Sequence, residues 1–419
     1  MNLHLQLLRD YESRNVTHLA EDSSWPIVWD RAKGVHVWDT DGKKYLDLTA
    51  AFAVATTGHA NPRVTKAAQA QLAKLPHAMG DVHPHALKGQ LASELSKLTF
   101  ERWKRGRGKT IFCNSGFEAV EAALKTALLA TGKKGVIAFE GAYHGLGYGA
   151  LAATHREHFR NPFKKQLSKF GHFAPFPITA KELAETETQL KALFKNHPIG
   201  AMLVEPIQGR AGLRVPPAKF LRMLRSLCDQ HDALLIYDEI YTGFGRTGEW
   251  FACEHSSSFP DLICLGKALT NGFPLSACVG RATVMDRAWP ESTGEAIHTS
   301  TFLGHPVGCA MALAQVRELK EKKLITQVRR RGKQLEKLCQ RFPIHGARFV
   351  GKGLMAGLAF DESEGPRVFA VVKDMLRRGY ILLPAGEHGN VIALTPAFTI
   401  TEKQLERTLR ALQSSFAKS

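Results

Sequence analysis

Short, wholly apolar runs alternate along this chain with longer amphipathic ones, and this alternation most constrains the fold. The apolar runs lie at residues 110–113, 135–139, 200–204, 233–237, 261–265 and 277–280. Strands that are apolar throughout are typical of a sheet buried on both faces. Helical patterns fill much of the chain between and after them, at 116–131, 180–196, 217–231 and 305–322. The pattern therefore predicts an α/β fold with a mostly parallel sheet flanked by helices.

The two ends of the chain carry a different pattern. Residues 26–48 predict a hairpin with TDGK as its turn, and residues 345–400 mix short strands with a helix at 366–378. We therefore expect a small α+β domain built from both chain ends beside the large domain. The expected bounds are 1–50 and 311–419 for the small domain and 51–310 for the large one.

The balance of charged residues is unusual. The 419 residues include 56 Lys and Arg against 39 Asp and Glu, which gives a net charge of +17. Such a charge could indicate nucleic acid, an anionic membrane or an anionic ligand. Because the basic residues are spread along the chain rather than clustered, we expect a solvated basic surface and neither a nucleic-acid nor a membrane partner.

The cysteines and the N-terminus predict the compartment. Seven cysteines are scattered without a CxxC pair, which fits a reducing environment. Residues 1–15 lack the continuous apolar core of a signal peptide, and no run of eighteen apolar residues occurs. A cytoplasmic location is the expectation.

Several familiar motifs are excluded by single positions. The GKT at 108–110 lacks the earlier glycine of a phosphate loop, since Trp103 stands there. Neither GxGxxG nor GxSxG is present. Histidine pairs occur without a third ligand at convincing spacing, so no metal site is expected.

A carboxylate and a lysine follow two of the apolar runs. Asp238 directly follows the apolar run at 233–237, and Lys267 comes directly after the DLICLG segment at 261–266. Ligands bind at the carboxyl ends of parallel strands, and a partly desolvated lysine there becomes a nucleophilic amine. Taken alone, Asp238 could equally cap a helix, and a lone lysine is usually a solvated surface residue.

Three further segments change that balance. Asn114-Ser115-Gly116 opens an alanine-rich helix and could hold a phosphate at the helix N-terminus. Gly141-Ala142-Tyr143-His144-Gly145 offers an aromatic ring for stacking, and Glu205-Pro206-Ile207-Gln208-Gly209 follows another strand. A phosphate cradle, a stacking ring, an aspartate and a lysine together describe a pyridoxal-phosphate (PLP) site.

The sequence resembles the class III, or ω-type, PLP-dependent aminotransferases of fold type I. The resemblance runs from about residue 24 to about residue 410. Its specific stretches are LDLTAAFAVATTGHANPRV, NSGFEAVEAALK, GAYHG, EPIQG, YDEIYTGFGRTG, GKALTNGFPLSACVG and TSTFLGHP. It implies a large domain with a mostly parallel, seven-stranded sheet, a smaller second domain, and PLP as cofactor.

The resemblance also implies the central catalytic roles. Lys267 matches the lysine that forms the internal aldimine and carries a proton between the substrate Cα and the cofactor C4′. Asp238 matches the carboxylate paired with the pyridine nitrogen. Tyr143 resembles the residue that stacks on the ring, with His144 beside it.

Further matches surround the expected cofactor. Ser115 and Gly116 match the phosphate-binding turn, Ile240 the aliphatic contact on the other ring face, Gln208 the partner of the phenolic oxygen, and Glu205 a support at the same corner. Thr301 matches a threonine that reaches the phosphate of the neighbouring subunit, which implies a homodimer with shared sites.

Three positions depart from relatives that use glutamate or ornithine. Those relatives usually carry Arg where Leu146 stands, a gating Glu where Arg210 stands, and a carboxylate-binding Arg where Ala393 stands. The usual carboxylate recognition is therefore lost or rebuilt. Arg210 could rebuild it, or it could lie at the pocket rim without a substrate role. Leu146 and Phe52 suggest an apolar pocket.

The expected function is a ping-pong transamination through a Lys267 aldimine. The donor is an amine or ω-amino compound, and the acceptor is a 2-oxo acid, with pyruvate favoured over 2-oxoglutarate. A PLP-dependent racemase or epimerase, an aminomutase or a phospho-lyase on the same scaffold is the alternative, because each would keep Lys267 and Asp238.

Overall fold

The computed structural model describes residues 2–22 and 24–418. Its strands are β1 Trp29–Lys33, β2 His36–Asp39, β3 Lys44–Asp47, β4 Gly108–Cys113, β5 Gly135–Phe139, β6 Gly171–Ala174, β7 Ile199–Val204, β8 Leu234–Asp238, β9 Leu262–Leu265, β10 Ser276–Arg281, β11 Arg348–Lys352, β12 Met355–Ala359, β13 Tyr380–Ile381, β14 Leu383–Ala385 and β15 Val391–Leu394.

Helices connect and cover these strands. The α-helices are Leu3–Tyr11, Pro62–Lys74, Ala86–Leu98, Gly116–Thr131, Tyr148–Ala153, Glu157–Arg160, Ala180–Asn196, Phe220–Gln230, Ala282–Ala288, Pro306–Glu321, Leu324–Arg341, Gly365–Arg377 and Glu402–Phe416. Short 3-10 turns span Asn161–Phe163, Ala252–Ser256, Lys267–Leu269 and Glu362–Glu364. Among the described residues, none of these helices is long and apolar enough to cross a membrane.

The large domain is built on a seven-stranded sheet in the order β4-β10-β9-β8-β7-β5-β6. Only β10 runs against its neighbours, β4 and β9, while β9, β8, β7, β5 and β6 pair in parallel. The mostly parallel sheet predicted from the apolar runs is confirmed. β6 has no predicted counterpart, because three of its four residues are only half-buried and its sequence has no apolar run.

Both faces of this sheet are covered. On β8, Leu235 and Tyr237 belong to one buried cluster, while Leu234 and Ile236 belong to a second cluster with the alanines of Gly116–Thr131. Successive side chains point to opposite faces of a strand, so β8 is packed on both sides. The wholly apolar sequence of these strands has this physical cause.

Strands from the two chain ends meet in the smaller sheets. β13 pairs in parallel with β3, joining Tyr380 to Leu46, in a sheet ordered β1-β2-β3-β13. A second sheet has the order β11-β12-β15-β14. The small α+β domain expected from both ends is therefore present, with the TDGK turn between β2 and β3. The bounds at residues 50 and 310 stay a prediction.

A left-handed turn links β3 to the large domain. Ala50, Ala51, Phe52 and Ala53 all have positive φ, between 46° and 62°. The carboxylate of Asp47 holds the segment from outside the turn. It accepts hydrogen bonds from the backbone of Thr49 at 2.8 Å and of Ala51 at 3.2 Å, and it contacts His59 Nε2 at 2.8 Å.

The arginine of the FGRTG segment ties the large domain to the small one. Arg246 is fully buried, and its guanidinium donates to the carbonyl oxygens of Leu354 at 3.0 Å and of Pro396 at 2.6 Å. It also lies 4.7 Å from the ring centroid of Phe398. Burial lowers the pKa of Arg246 to about 10, so the side chain stays charged at neutral pH.

Replacing Arg246 by alanine should therefore destabilise the protein strongly. The Arg246→Ala variant leaves two buried carbonyl groups unpaired and opens a cavity, which together should cost about 3 kcal/mol or more. Urea unfolding followed by circular dichroism measures this loss. Arg330→Ala, at an exposed position, is the control and should stay within about 0.5 kcal/mol. Equal stability of the two variants would contradict the assigned role of Arg246.

Candidate active site

Three neighbouring parallel strands end in ionisable residues. Asp238 is the last residue of β8, Glu205 directly follows β7, and Lys267 follows β9 after a single glycine. Because β9, β8 and β7 are adjacent in the sheet, the carboxyl ends of the strands bring the three side chains to one edge.

Asp238 is buried and is held on both of its oxygens. Its Oδ2 lies 2.8 Å from His144 Nδ1, and its Oδ1 accepts a hydrogen bond from the backbone of Ile240 at 3.1 Å. The other ring nitrogen of His144, Nε2, is buried without a partner among the described residues. The His144 ring therefore fixes the orientation of a carboxylate that has further acceptor capacity.

Lys267 is half-buried and lies close to opposite charge. Burial lowers the pKa of its amine, the charges of Asp238 and Glu205 act against this, and the charge of Arg210 acts with it. Its Nζ lies 4.7 Å from the ring centroid of Tyr241, and its φ is 42°. A lysine with a lowered pKa has a larger neutral fraction, which is the nucleophilic form.

Glu205 organises the two loops next to the site. Its Oε1 accepts from the backbone of Tyr143 at 3.1 Å, and its Oε2 accepts from the backbone of Gly209 at 2.9 Å. Burial raises the pKa of Glu205 to about 7, against the effects of His144 and of these two N–H donors. This carboxyl therefore joins the GAYHG and EPIQG segments.

Gln208 lies on the second of these loops. Its Nε2 donates to the carbonyl oxygen of Glu140 at 2.8 Å, whereas its Oε1 is buried without a partner among the described residues. The amide is therefore fixed at one end, and its other end is available to a bound group.

The predicted phosphate turn is formed at the start of Gly116–Thr131. Glu118 accepts hydrogen bonds from the backbone of Asn114 at 2.8 Å and of Ser115 at 2.7 Å. The Ser115 hydroxyl is buried without a partner in the described part of the chain. At Gly116, a Cβ would lie 3.1 Å from Cδ1 of Ile240, so glycine allows Ile240 to approach the turn. The free hydroxyl and the helix N-terminus suit an anionic group.

Tyr143 lies beside two other groups at the surface of the site. Its ring centroid is 5.5 Å from that of Phe159, and the guanidinium carbon of Arg210 lies 4.8 Å from the Tyr143 centroid. Arg210 is exposed, and Tyr143 is half-buried. One face of this tyrosine is thus covered by a cation.

The other predicted residues lie further out or contact apolar groups. Phe52 and Leu146 are 62% and 47% exposed, and Thr301 is also exposed. Ala393, on β15, is buried in a cluster with Ile207, Leu213 and Val391, against which Tyr241 packs. The chain by itself therefore brings Ala393 close to the Lys267 side of the site and leaves Thr301 without a contact there.

Two site residues have no counterpart among the sequence predictions. Tyr241 lies beneath Lys267, and Phe159 flanks Tyr143. Tyr241 is two residues after the DE pair of the predicted site, so its proximity could have been suspected. Phe159 comes from a separate short helix, Glu157–Arg160, and only the folded structure places it beside Tyr143.

A cavity of about 1100 Å³ opens beside these residues rather than over them. Its wall includes Gly141, Arg156, Ala211 and Gly386, and it contains neither Lys267 nor Asp238. The chemistry of the side chains, and not cavity size, identifies the site.

The residues at these strand ends fit PLP. Three buried polar atoms without partners among the described residues, on Ser115, Gln208 and His144, lie on the predicted contact residues. Buried polar groups normally have partners, so these atoms are available to a bound group. An anion-binding turn, an aromatic ring, a buried aspartate and a half-buried lysine complete the set that this cofactor needs.

The raised pKa of Glu205 predicts a pH-dependent stability. Its ordinary value is 4.5 and its folded value is about 7, so the folded protein binds this proton more tightly than the unfolded chain. The stability that this carboxyl contributes is fully present below about pH 4.5 and is lost as the pH rises through about 7.

We expect the unfolding free energy of the wild type, relative to that of Glu205→Gln, to fall by up to about 3 kcal/mol across this window. Urea unfolding of the cofactor-free proteins at a series of pH values measures it. The exposed Glu185→Gln variant should show no such trend. A difference that rises with pH would contradict the assignment.

Comparison with known proteins places the whole chain in one family. The family model for class III aminotransferases matches residues 18–416. The acetylornithine aminotransferase of Methanopyrus kandleri is 36% identical over 402 residues, which cover 96% of this chain and 97% of the relative. A protein of the same description from Methanosarcina mazei is 36% identical over 393 residues, covering 93% of this chain and 92% of the relative.

Solved structures agree in fold. An amine transaminase from an uncultivated Pseudomonas species, in a PLP-bound form, superposes with a TM-score of 0.86 at 28% identity, covering 97% of this chain and 98% of that one. The adenosylmethionine-8-amino-7-oxononanoate aminotransferase of Methanocaldococcus jannaschii gives a TM-score of 0.91 at 26% identity, covering 100% and 99%. The fold is that of the fold type I transaminases, and the chain belongs to the PLP-dependent class III aminotransferases.

Proposed function

We propose that this aminotransferase moves an amino group from an amine or ω-amino donor to a 2-oxo acid, with pyruvate favoured over 2-oxoglutarate. The reaction is ping-pong, and Lys267 is the cofactor-linked lysine. The observation that carries the proposal is a half-buried lysine of lowered pKa at the strand end next to a buried, histidine-bound aspartate.

The residues around Lys267 divide the contacts to PLP among them. Ser115 and Gly116 would hold the phosphate, and Tyr143 and Ile240 would contact the ring. Asp238, oriented by His144, would pair with the ring nitrogen, while Gln208 and Glu205 would support the phenolic oxygen. When bound, the cofactor supplies a ring that accepts the electron pair left by a departing proton.

Lys267 moves the proton in this reaction. Its lowered pKa gives the amine a neutral fraction that can take a proton from the carbon bearing the amino group and return it to another position. Asp238 keeps the ring nitrogen protonated by placing a negative charge beside it. Tyr241 confines the amine, because its ring lies 4.7 Å from Nζ.

The donor class is inferred from the apolar groups near the site. Leu146 and Ala393 replace arginines of glutamate- and ornithine-using relatives, and Phe52 adds a further apolar wall. An amine without an α-carboxylate needs no cation to balance it. The archaeal relatives are named for acetylornithine, which carries a terminal amine and falls within the ω-amino class.

A second copy of the chain completes the site in this proposal. Thr301 is exposed and makes no contact with the described site residues, as expected of a side chain that reaches the cofactor phosphate of a neighbouring subunit. Phe302 beside it is 54% exposed. We propose a homodimer in the cytoplasm, where the free cysteines, all buried except the half-buried Cys339, stay reduced.

A donor panel tests the function directly. Simple primary amines, added to the holoenzyme without an acceptor, should replace the visible absorption of bound PLP by the near-ultraviolet absorption of pyridoxamine phosphate. Pyruvate should restore the visible band, because the second half-reaction runs in reverse. Rapid conversion by glutamate, with no transfer from simple amines to pyruvate, would overturn the donor and acceptor assignment.

Replacing Lys267 tests the catalytic centre. The Lys267→Ala variant should still bind PLP without a covalent bond, because Ser115, Tyr143 and Asp238 remain. Its turnover should fall by about four orders of magnitude, since the proton-transferring amine is gone. Absorbance titration measures binding, and an amine–pyruvate assay measures turnover. The exposed Lys181→Ala should match the wild type, and retained turnover in Lys267→Ala would refute the assignment.

A further inference from the structure

Arg210 presents a guanidinium group in an arrangement that the cofactor does not use. Its Cζ lies 4.8 Å from the ring centroid of Tyr143 and 5.4 Å from that of Phe159. A guanidinium stacked on aromatic faces keeps its N–H donors free in the plane of the group. Two rings therefore fix the position of Arg210 while leaving its hydrogen-bonding edge open.

The N–H donors of the Arg210 guanidinium have no acceptor among the described residues. Neither a carboxylate nor a carbonyl oxygen in the described part of the chain accepts a hydrogen bond from the Arg210 side chain, which is exposed. Arg156, which lies near the same phenylalanine ring, offers a contrast. It also lies 5.4 Å from the Phe159 centroid, but it donates to the carbonyl oxygen of Glu387 at 3.3 Å. Arg210 is thus a cation held in place without a partner.

The backbone that carries Arg210 is anchored on two sides. Its carbonyl oxygen accepts from the backbone of Gly386 at 3.0 Å. The preceding Gln208 forms a two-way backbone bridge with Arg214, at 3.1 and 3.0 Å. The guanidinium therefore projects from a fixed loop and not from a free chain.

The charge of Arg210 acts on the reacting amine. Burial is the main cause of the lowered pKa of Lys267, and Arg210 shifts this pKa in the same direction. On β15, the position of Ala393 carries no charge, and this alanine is packed among Ile207, Leu213 and Val391. An anion next to Lys267 would thus face the positive charge of the Arg210 guanidinium.

We propose that Arg210 is the specificity-determining residue that binds the carboxylate of the 2-oxo acid acceptor. The proposal rests on the proposed function and names the partner of one of its half-reactions. A planar guanidinium matches a carboxylate through two parallel N–H···O bonds, and a neutral amine donor has no group to take them. The bidentate contact of Arg210 therefore belongs to the acceptor half-reaction, whereas the effect of its charge on Lys267 is common to both half-reactions.

Separate half-reactions test this assignment on the holoenzyme. In Arg210→Gln, the KM for pyruvate should rise about 10- to 100-fold, because a charge-assisted bidentate contact is lost. The KM for a simple primary amine should change less than about threefold, because the amine has no carboxylate that could lose this contact. Any change in rate that arises through Lys267 should be the same in both half-reactions. Arg210→Lys keeps the charge without the fork, so its KM for pyruvate should be intermediate. Arg156→Gln, the matched control, should resemble the wild type in both half-reactions.

Equilibrium binding supplies a readout without turnover. Propionate is a carboxylate of the size of pyruvate that cannot accept an amino group. Calorimetry should show it binding to wild-type and Arg156→Gln holoenzyme and at least tenfold more weakly to Arg210→Gln. Equal propionate affinity in all three proteins, or an equal rise in KM for amine and pyruvate in Arg210→Gln, would overturn the proposal.

The outcomes separate this inference from the proposed function. If the wild type converts no simple amine, the donor assignment fails, and Arg210 is then tested with 2-oxoglutarate, which carries the same 2-oxo acid carboxylate. A rise of KM in Arg210→Gln with that acceptor supports the inference, and an unchanged KM refutes it.

Discussion

The placement of the half-buried Lys267 beside two buried carboxyl groups is the constraint on which the site depends. Burying an ammonium group is costly unless opposite charge lies nearby. The strand order β9-β8-β7 supplies that charge, since Asp238 and Glu205 emerge at the next two strand ends. Neighbouring strands are only about 4.8 Å apart, so the sheet fixes the spacing of these groups before any loop is built.

Each of these carboxyl groups is in turn held by the loop after another strand. His144 and the backbone of Tyr143, both from the loop after β5, contact Asp238 and Glu205 respectively. Tyr143 and Asp238, to which we assign the ring face and the ring nitrogen of the cofactor, are therefore coupled through one loop. The contacts that orient the reactive groups also bind the GAYHG and EPIQG loops to the sheet.

The sequence was informative where burial is complete. Strands β5, β7, β8 and β9 are buried at every residue, and their residues are apolar except for Asp238 at the end of β8. The predicted runs agree with these strands within two residues. The half-buried β6 carries no such signal. The residues that end these strands could be predicted as a site because a strand end is a fixed place in a sheet.

Side-chain packing across the site could not be predicted in the same way. Nothing in the letters EPIQG shows that a Cβ on Gly209 would lie 2.2 Å from the ring of Tyr241. A turn explains a glycine equally well, yet here glycine allows the tyrosine ring to lie against the loop and under Lys267. Such contacts join segments about thirty residues apart and become visible only when the strands are assembled.

The left-handed turn at 50–53, at the edge of the site, is likewise held by a single carboxylate. Four consecutive L-residues at positive φ cost about 1–2 kcal/mol each, so the turn is unfavourable by about 4–8 kcal/mol on its own. Asp47 offsets part of this cost through its bonds to Thr49, Ala51 and His59. Strained backbone persists where the surroundings over-determine it and is concentrated at functional sites. The turn presents Phe52 to solvent, so the strain serves to keep this ring out of the core, as the proposal that Phe52 contacts the substrate requires.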